Sequence, residues 1–211
     1  MKILIADDHL VVRKGLIQII KEDFPDAKIE ETSNGKEALA SLRLQEYSIA
    51  ILDITMPIIS GLEVTKTAKA ESIQTPILIL TSHPEGQYAL RVFKAGASGF
   101  IGKETAGDEL TLAIRKILSG RKYITSSIAE KLADDFSNDQ QKAIHESLSD
   151  REFEVMKLIA GGSTVSEIAE ILHLNVTTIS TYRARILEKT GLKNNAELMH
   201  YVISQDFHRF P

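Results

Sequence analysis

The segment Lys2-Ile-Leu-Ile-Ala-Asp-Asp8 begins the chain with a short apolar run that ends in two acidic residues. Three later runs have the same form, Ser48-Ile-Ala-Ile-Leu-Asp53, Pro76-Ile-Leu-Ile-Leu-Thr81 and Gly99-Phe-Ile-Gly-Lys103. Apolar runs of this length, separated by amphipathic helical stretches, are typical of a parallel sheet covered on both faces. Because parallel strands point the same way, the polar residues at their ends should meet in one crevice, where open α/β sheets bind ligands.

The composition of the 211-residue chain is that of a globular protein, with 43% hydrophobic and 26% charged residues. It contains no cysteine, which rules out disulfides and thiolate metal sites. We see no signal peptide and no apolar stretch long enough to span a membrane, so we expect a cytoplasmic location. The net charge is −4, and neither residues 1–125 (16 Lys+Arg, 16 Asp+Glu) nor residues 147–211 (7 Lys+Arg, 8 Asp+Glu) are basic overall. A nucleic-acid role must therefore rest on local placement of positive charge.

The chain divides into two predicted domains. Strands near 2–7, 28–33, 48–53, 76–81 and 99–102 alternate with helices near 9–22, 35–45, 61–71, 86–96 and 107–119, which predicts a doubly wound domain over residues 1–121. Residues 122–147 are predicted to form an amphipathic helix (126–136) and a polar linker (137–147). Residues 148–211 show only helix signals, including capping-box patterns that start at Ser149, Thr164 and Asn194, and a cap at Asn175.

The residues at the strand ends have the chemistry of a phosphoryl-transfer site. Asp7, Asp8 and Asp53 would repel one another unless a cation such as Mg²⁺ lay between them. A carboxylate in that position can attack phosphorus, with Lys103 and Thr81 as donors to the phosphoryl oxygens. Taken singly, each residue has a simpler interpretation: the aspartates as helix caps, the threonine as a backbone partner and the lysine as a solvated cation. Because all of these residues lie at the ends of four strands of the predicted sheet, a phosphoryl-transfer site is favoured over these separate interpretations.

Residues 1–120 resemble the receiver domain of a two-component response regulator. The resemblance is carried by Ile5-Ala-Asp-Asp-His9, Leu52-Asp-Ile-Thr-Met-Pro57 followed by Gly61, Ile79-Leu-Thr-Ser82 and Lys94-Ala-Gly-Ala-Ser-Gly-Phe-Ile-Gly-Lys103. It implies a flavodoxin-like (βα)5 fold with strand order 2-1-3-4-5. It also implies phosphorylation of Asp53 by a sensor histidine kinase, and Mg²⁺ held by Asp7, Asp8, Asp53 and the backbone carbonyl of Thr55. Lys103 and Thr81 would bind the phosphoryl group, and Thr81 and Phe100 would form the switch pair.

Two positions depart from the common receiver pattern. Phe100 stands where many receivers have tyrosine, which removes a phenol hydrogen bond. Glu104 stands where many receivers have a proline, often preceded by a cis peptide bond. Because a cis bond before a non-proline residue costs about 2.5–4 kcal/mol, the geometry of the Lys103–Glu104 bond is open.

Thr55 and His83 lie two residues beyond Asp53 and Thr81, and we expect them to flank the hydrolytic water and set the lifetime of the acyl phosphate.

The second domain contains two helices joined by a short polar turn, a helix-turn-helix pattern. Val165-Ser-Glu-Ile-Ala-Glu-Ile-Leu172 leads through His173-Leu-Asn175 into a helix whose predicted core face carries Val176, Ile179, Ile186 and Thr190. The opposite face is small and hydroxylated, which suits a helix that enters the major groove, although a generic helical bundle would show a similar face. The DNA contacts predicted for this region are Thr177, Thr178, Ser180, Thr181, Arg183, Ala184, Arg185, Lys189 and Lys193.

Residues 148–207 resemble the LuxR-type helix-turn-helix of NarL/FixJ response regulators. The carrying residues are Leu148-Ser-Asp-Arg-Glu152 with Val155, Leu158, Ala160 and Gly162, then Ile168-Ala169 with Leu172, and Thr178-Ile-Ser-Thr-Tyr-Arg183 with Arg185, Ile186, Lys189, Gly191 and Leu192. Ser180 and Tyr182 replace a common lysine and histidine, so the preferred DNA sequence of the family does not carry over. The resemblance implies a dimer contact through the last helix (Leu198, Met199, Val202), although that apolar stripe would equally serve as internal core.

These features together predict a phosphorylation-regulated, DNA-binding transcriptional regulator that acts as a homodimer and catalyses only its own phosphorylation and dephosphorylation. An aspartyl-phosphate phosphatase of the haloacid dehalogenase type is the main alternative. Such enzymes usually place a second aspartate two residues after the first, where this chain has Thr55, and they need a substrate pocket or cap insertion. A receiver that dimerises without phosphate is a third possibility, which the intact set of Asp53, Thr81 and Lys103 disfavours.

Overall fold

The computed structural model describes residues 1–82, 85–126, 128–130 and 144–204. The chain forms two compact units, Met1–Asp135 and Phe136–Pro211. Within the described ranges, none of the helices is both long enough and apolar enough to span a membrane.

The first unit is a five-stranded parallel sheet covered by helices. Its strands are β1 (Lys2–Ala6), β2 (Lys28–Thr32), β3 (Ile49–Asp53), β4 (Ile77–Thr81) and β5 (Gly99–Gly102), and its helices are α1 (Leu10–Asp23), α2 (Gly35–Leu44), α3 (Gly61–Ala70), α4 (Glu85–Ala95) and α5 (Ala106–Leu118). The strand order is β2-β1-β3-β4-β5, with every neighbouring pair parallel. The predicted α/β fold and strand order are therefore confirmed.

The apolar strands form the centre of this unit because the sheet is covered on both faces. All five residues of β3 and of β4 are buried. Ile3, Ile5, Ile49 and Ile51 pack with residues of α1 and α5 in one hydrophobic core. Full burial of each such side chain contributes about 1.5–3 kcal/mol. The edge strand β2 is less buried: Lys28 and Glu31 are exposed, Ile29 and Glu30 are half-buried, and Thr32 alone of its five residues is buried.

Two glycines hold the loop between β3 and α3 against the sheet. A Cβ at Gly61 would lie 2.1 Å from the carbonyl oxygen of Asp53, and a Cβ at Gly35 would lie 1.9 Å from the carbonyl oxygen of Ile59. Any larger residue would push the backbone apart. The loop therefore returns directly beside Asp53 before α3 begins at the capping box of Ser60 and Glu63.

The chain leaves α5 along the free edge of β5. The backbone N–H of Tyr123 donates to the carbonyl oxygen of Ser98 at 2.9 Å, and Tyr123 forms a parallel bridge with Gly99. The Tyr123 ring is buried, and its hydroxyl donates to Glu109 Oε2 at 3.2 Å. Of the helix predicted at 126–136, residues 126 and 128–130 are helical, and the remainder, with Leu132 and Phe136, lies outside the described residues.

The second unit consists of helices, as predicted. They are α6 (Asp150–Ala160), α7 (Val165–Ile171), α8 (Val176–Thr190) and α9 (Asn195–Ser204), preceded by a 3-10 helix at Ile144–Ser147. The predicted capping boxes at Ser149 and Thr164 are formed. Asn194 accepts from the Glu197 N–H, but the Glu197 carboxylate accepts from the N–H of Lys193 rather than from that of Asn194.

Three predictions for this unit need correction. Val176 is 49% exposed rather than core, because it opens α8 before the helix reaches the neighbours that bury Ile179 and Ile186. Asn175 stands at the N-cap of α8, but its side chain makes no capping hydrogen bond to the described residues. The end of the predicted linker is folded: in the 3-10 helix, His145 Nδ1 lies 2.7 Å from the Tyr201 hydroxyl and its ring packs 5.6 Å from that of Phe153.

Candidate metal and phosphoryl site, and candidate DNA interface

The carboxyl ends of the central strands bring the predicted acidic residues together. Asp53 ends β3, and Asp7 follows the adjacent strand β1. Both side chains are almost completely buried, and so is Thr81 at the end of β4. Potential ligand atoms of Asp7, Asp8, His9 and Asp53 all lie within 4.8 Å of one another.

Lys103 reaches this cluster from the loop after β5. Its Nζ lies 2.7 Å from Asp7 Oδ2 and 2.8 Å from Asp53 Oδ2. The lysine backbone is fixed as well, since its N–H donates to the carbonyl oxygen of Thr81 at 2.7 Å. One ammonium group thus joins two carboxylates that the sheet holds side by side.

The electrostatics of the cluster are dominated by burial. Burial raises the pKa of Asp53 to about 7; the Lys103 ammonium opposes this rise, and the carboxylates of Asp7 and Asp8 add to it. For Lys103, burial favours the neutral amine, but attraction to Asp53 and Asp7 outweighs it and raises the pKa of Lys103. A single lysine therefore does not balance the three carboxylates, and an additional cation would stabilise them.

The donor set fits a hard divalent cation. Asp8 Oδ1 is buried and forms no hydrogen bond with the described residues, although His9 Nδ1 lies 2.9 Å away. Asp7 Oδ2 is also buried and is held by the Lys103 ammonium. Carboxylate oxygens are the ligands that Mg²⁺ prefers. Thr55, whose carbonyl is the other predicted ligand, lies half-buried in the loop that Gly61 brings back beside Asp53.

The two predicted switch residues lie on neighbouring strands. Thr81 ends β4 with 1% of its surface exposed, and Phe100 on β5 is fully buried and pairs in register with Ile79. The Lys103–Glu104 bond is trans, since the described residues include no cis peptide bond. His83, predicted with Thr55 to flank a hydrolytic water, lies outside the described residues.

Helix α8 presents most of the predicted DNA contacts to solvent. The exposed ones are Thr177, Ser180, Thr181, Ala184, Arg185 and Lys189 on α8 and Lys193 beyond it, whereas Thr178 and Arg183 are half-buried. Two of the positively charged side chains already form hydrogen bonds within the helical unit. Lys189 Nζ donates to Glu152 Oε2 at 2.7 Å, and Arg183 Nε donates to Asn195 Oδ1 at 2.8 Å.

The predicted dimer contact is reduced to one residue. Leu198 and Val202 are fully buried in the helical unit, because they lie on the side of α9 that faces the other helices, so they serve as internal core. Met199 is 37% exposed, and Ile203, which the sequence interpretation omitted, is 52% exposed.

Sequence reasoning also missed two residues beside these sites. His9 contributes a ring nitrogen to the acidic cluster, and its position directly after Asp8 was the available signal. Glu152 was predicted to form a capping box, and it also binds Lys189, which was not predicted. No local sequence pattern connects residues 152 and 189, because that contact depends on how α6 and α8 pack.

Comparison with known proteins identifies both units. Residues 3–115 match the response regulator receiver domain, and residues 146–202 match the bacterial regulatory proteins of the luxR family. The chain is 35% identical to the response regulator UvrY of Escherichia coli K12 over 205 residues, which is 96% of this chain and 94% of UvrY. It is 34% identical to the oxygen regulatory protein NreC of Staphylococcus aureus MRSA252 over 217 residues and the full length of both.

Solved structures agree with these matches. RcsB from Salmonella enterica serovar Typhimurium, bound to promoter rprA in the presence of phosphomimetic BeF3−, is 26% identical with a TM-score of 0.61, over 97% of this chain and 99% of RcsB. The receiver match alone spans more than half of the chain. The chain therefore belongs to the two-component response regulators of the NarL/FixJ family, which join a receiver domain to a LuxR-type DNA-binding domain.

Proposed function

We propose that this response regulator accepts a phosphoryl group on Asp53 from a sensor histidine kinase, and that the modification controls its binding to promoter DNA. The proposal is carried by one observation: the ammonium of Lys103 lies within 2.8 Å of both Asp7 and Asp53 at the ends of neighbouring strands. A carboxylate beside a fixed cation is arranged for phosphoryl transfer by positioning and charge neutralisation.

In the proposed transfer, a carboxylate oxygen of Asp53 forms a bond to phosphorus. The bond from phosphorus to the histidine nitrogen of the donor breaks, and that nitrogen keeps the electron pair. Asp7, Asp8, Asp53 and the Thr55 carbonyl would hold Mg²⁺, which when bound supplies positive charge near the phosphoryl oxygens. Lys103 and the Thr81 hydroxyl donate hydrogen bonds to those oxygens, so the site offers its donors from two further strands.

The signal is proposed to leave the site through Thr81 and Phe100. When the Thr81 hydroxyl turns toward the phosphoryl group, the buried Phe100 ring adjusts on the adjacent strand. The surface formed by α4 and β5 changes as a result. Such a switch is a local change of charge that acts on a bistable element.

The helical domain is proposed to bind double-stranded promoter DNA through α8, as a homodimer. The small and hydroxylated residues Thr177, Ser180, Thr181 and Ala184 suit the approach to base edges in the major groove, and Arg185 and Lys193 suit contacts to phosphates. Structures of RcsB bound to promoter DNA support this proposal. In α9, Met199 remains the proposed dimer contact.

The phosphatase alternative is not supported, because the chain belongs to a family of regulators.

The test is DNA binding and sedimentation velocity of the full chain, with and without Mg²⁺ and beryllofluoride, for wild type and Asp53→Asn. We expect beryllofluoride to tighten DNA binding and to favour the dimer in wild type but not in Asp53→Asn. Asp26→Asn is the matched control, because Asp26 is an exposed acid on the same unit, and it should respond as wild type does. Identical behaviour of wild type and Asp53→Asn under all conditions would refute the proposed switch and favour a receiver that works without phosphate.

A further inference from the structure

His9 places an imidazole nitrogen in a site whose other donors are carboxylates. Its Nδ1 lies 2.9 Å from Asp8 Oδ1 and 3.3 Å from Asp7 Oδ1. The nitrogen belongs to the same group of candidate ligand atoms as Asp7, Asp8 and Asp53, all within 4.8 Å of one another. Two donors on opposite sides of one first-row ion lie about 4 Å apart, so only small movements would bring these atoms onto a single ion.

The backbone holds His9 in this position while its ring stays adjustable. The His9 N–H donates to Asp7 Oδ1 at 2.8 Å, which anchors the residue to the acid beside it. His9 is also the N-cap residue of α1, but its side chain makes no capping hydrogen bond with the described residues. Because 66% of the side chain is exposed, the ring can turn without repacking a core.

The contact between His9 and Asp8 is not a satisfied hydrogen bond. Asp8 Oδ1 is buried and lacks a hydrogen bond among the described residues, although His9 Nδ1 is 2.9 Å away. In the fully buried Asp7, by contrast, Oδ2 is held by the Lys103 ammonium at 2.7 Å. The His9 nitrogen and the Asp8 oxygen lie close enough for both to bind one cation.

We propose that His9 is a metal-directing residue that gives the acidic site a preference for late first-row divalent ions, such as Co²⁺, Ni²⁺ or Zn²⁺, relative to an all-oxygen site. The inference rests on the proposed cation site at Asp7, Asp8 and Asp53. Magnesium gains little from a nitrogen ligand, whereas imidazole suits the later ions. Lys103 opposes every divalent cation alike, so the effect of His9 lies in the ratio of two affinities.

The test is calorimetric titration of the full chain with Mg²⁺ and with Co²⁺. We expect His9→Ala to weaken Co²⁺ binding about ten-fold or more, which is the loss typical of a residue that tunes a metal site, and to change Mg²⁺ binding less than about two-fold. Retained Mg²⁺ affinity also shows that the variant is folded. His200→Ala, which removes an exposed histidine from the other unit, is the matched control and should leave both affinities unchanged.

A second readout is pulsed EPR of the chain with one equivalent of Cu²⁺. Wild type and His200→Ala should show coupling to an imidazole ¹⁴N, and His9→Ala should not. An unchanged ratio of Co²⁺ to Mg²⁺ affinity in His9→Ala overturns the inference, even if Asp53→Asn still loses Mg²⁺ and the proposed site stands. Metal binding that is insensitive to Asp53→Asn, or no binding at all, overturns the proposed site and the inference with it.

Discussion

At the scale of single residues, Asp53 combines the proposed chemistry with a cost in stability. Burial raises its pKa to about 7, from 3.8. Between these two values the unfolded chain has lost the proton that the folded chain still holds, so rising pH favours unfolding. The stabilising contribution is fully present below the unfolded pKa and is lost as the pH rises through the folded value near 7.

We therefore expect Asp53→Asn to stabilise the chain in EDTA at pH 8 and to have little effect at pH 4. One pKa unit corresponds to about 1.4 kcal/mol, so the gain at pH 8 should be on the order of a few kcal/mol. Urea unfolding across this pH range measures it. Mg²⁺ should stabilise wild type at pH 8 and have less effect on Asp53→Asn. A gain that does not depend on pH would show that the buried carboxylate is not its source.

At the scale of elements, the loop between β3 and α3 depends on backbone contacts that only glycine permits. We expect Gly61→Ala to destabilise the first unit by about 1–3 kcal/mol and to weaken Mg²⁺ binding, because the new Cβ would displace the loop that carries Thr55. Gly15→Ala is the control: Gly15 is exposed within α1 with nothing within 4 Å, so alanine should stabilise the helix by up to about 1 kcal/mol. Thermal unfolding and Mg²⁺ titration of both variants measure these effects, and equal behaviour would contradict the close packing at Gly61.

Most strands and helices of the structure could be predicted from the sequence, and so could the residues of the acidic site at the strand ends. Apolar runs and capping residues such as Ser149 and Glu152 are local signals, and they predicted the strands and most helix ends. The strand ends then placed Asp7, Asp53 and Lys103 together. The burial of Leu198 and Val202 and the exposure of Val176 could not be predicted in this way, because they depend on which helix faces are covered in three dimensions.

At the scale of the whole molecule, a net charge of −4 makes DNA binding depend on a few exposed cations. Arg185→Ala should reduce the slope of log K for DNA binding against log salt concentration by about one, because one phosphate contact is lost, and should leave the free energy of unfolding unchanged. Lys189→Ala should also lower stability by about 1–2 kcal/mol, because it leaves the buried Glu152 carboxylate without its cation. Salt titrations and urea unfolding of the two variants test this, and equal stabilities would show that Lys189 has no structural role.

The bridge between Tyr123 and Gly99 has a practical consequence for engineering. Residues up to Tyr123 belong to the receiver sheet, although α5 has already ended at Leu118. A chimera that joined this receiver to a foreign output domain directly after α5 would delete an edge contact and expose the surface that the Tyr123 ring covers. A graft placed after Thr125 would keep that edge intact, so the usable module for recombination ends beyond its last helix.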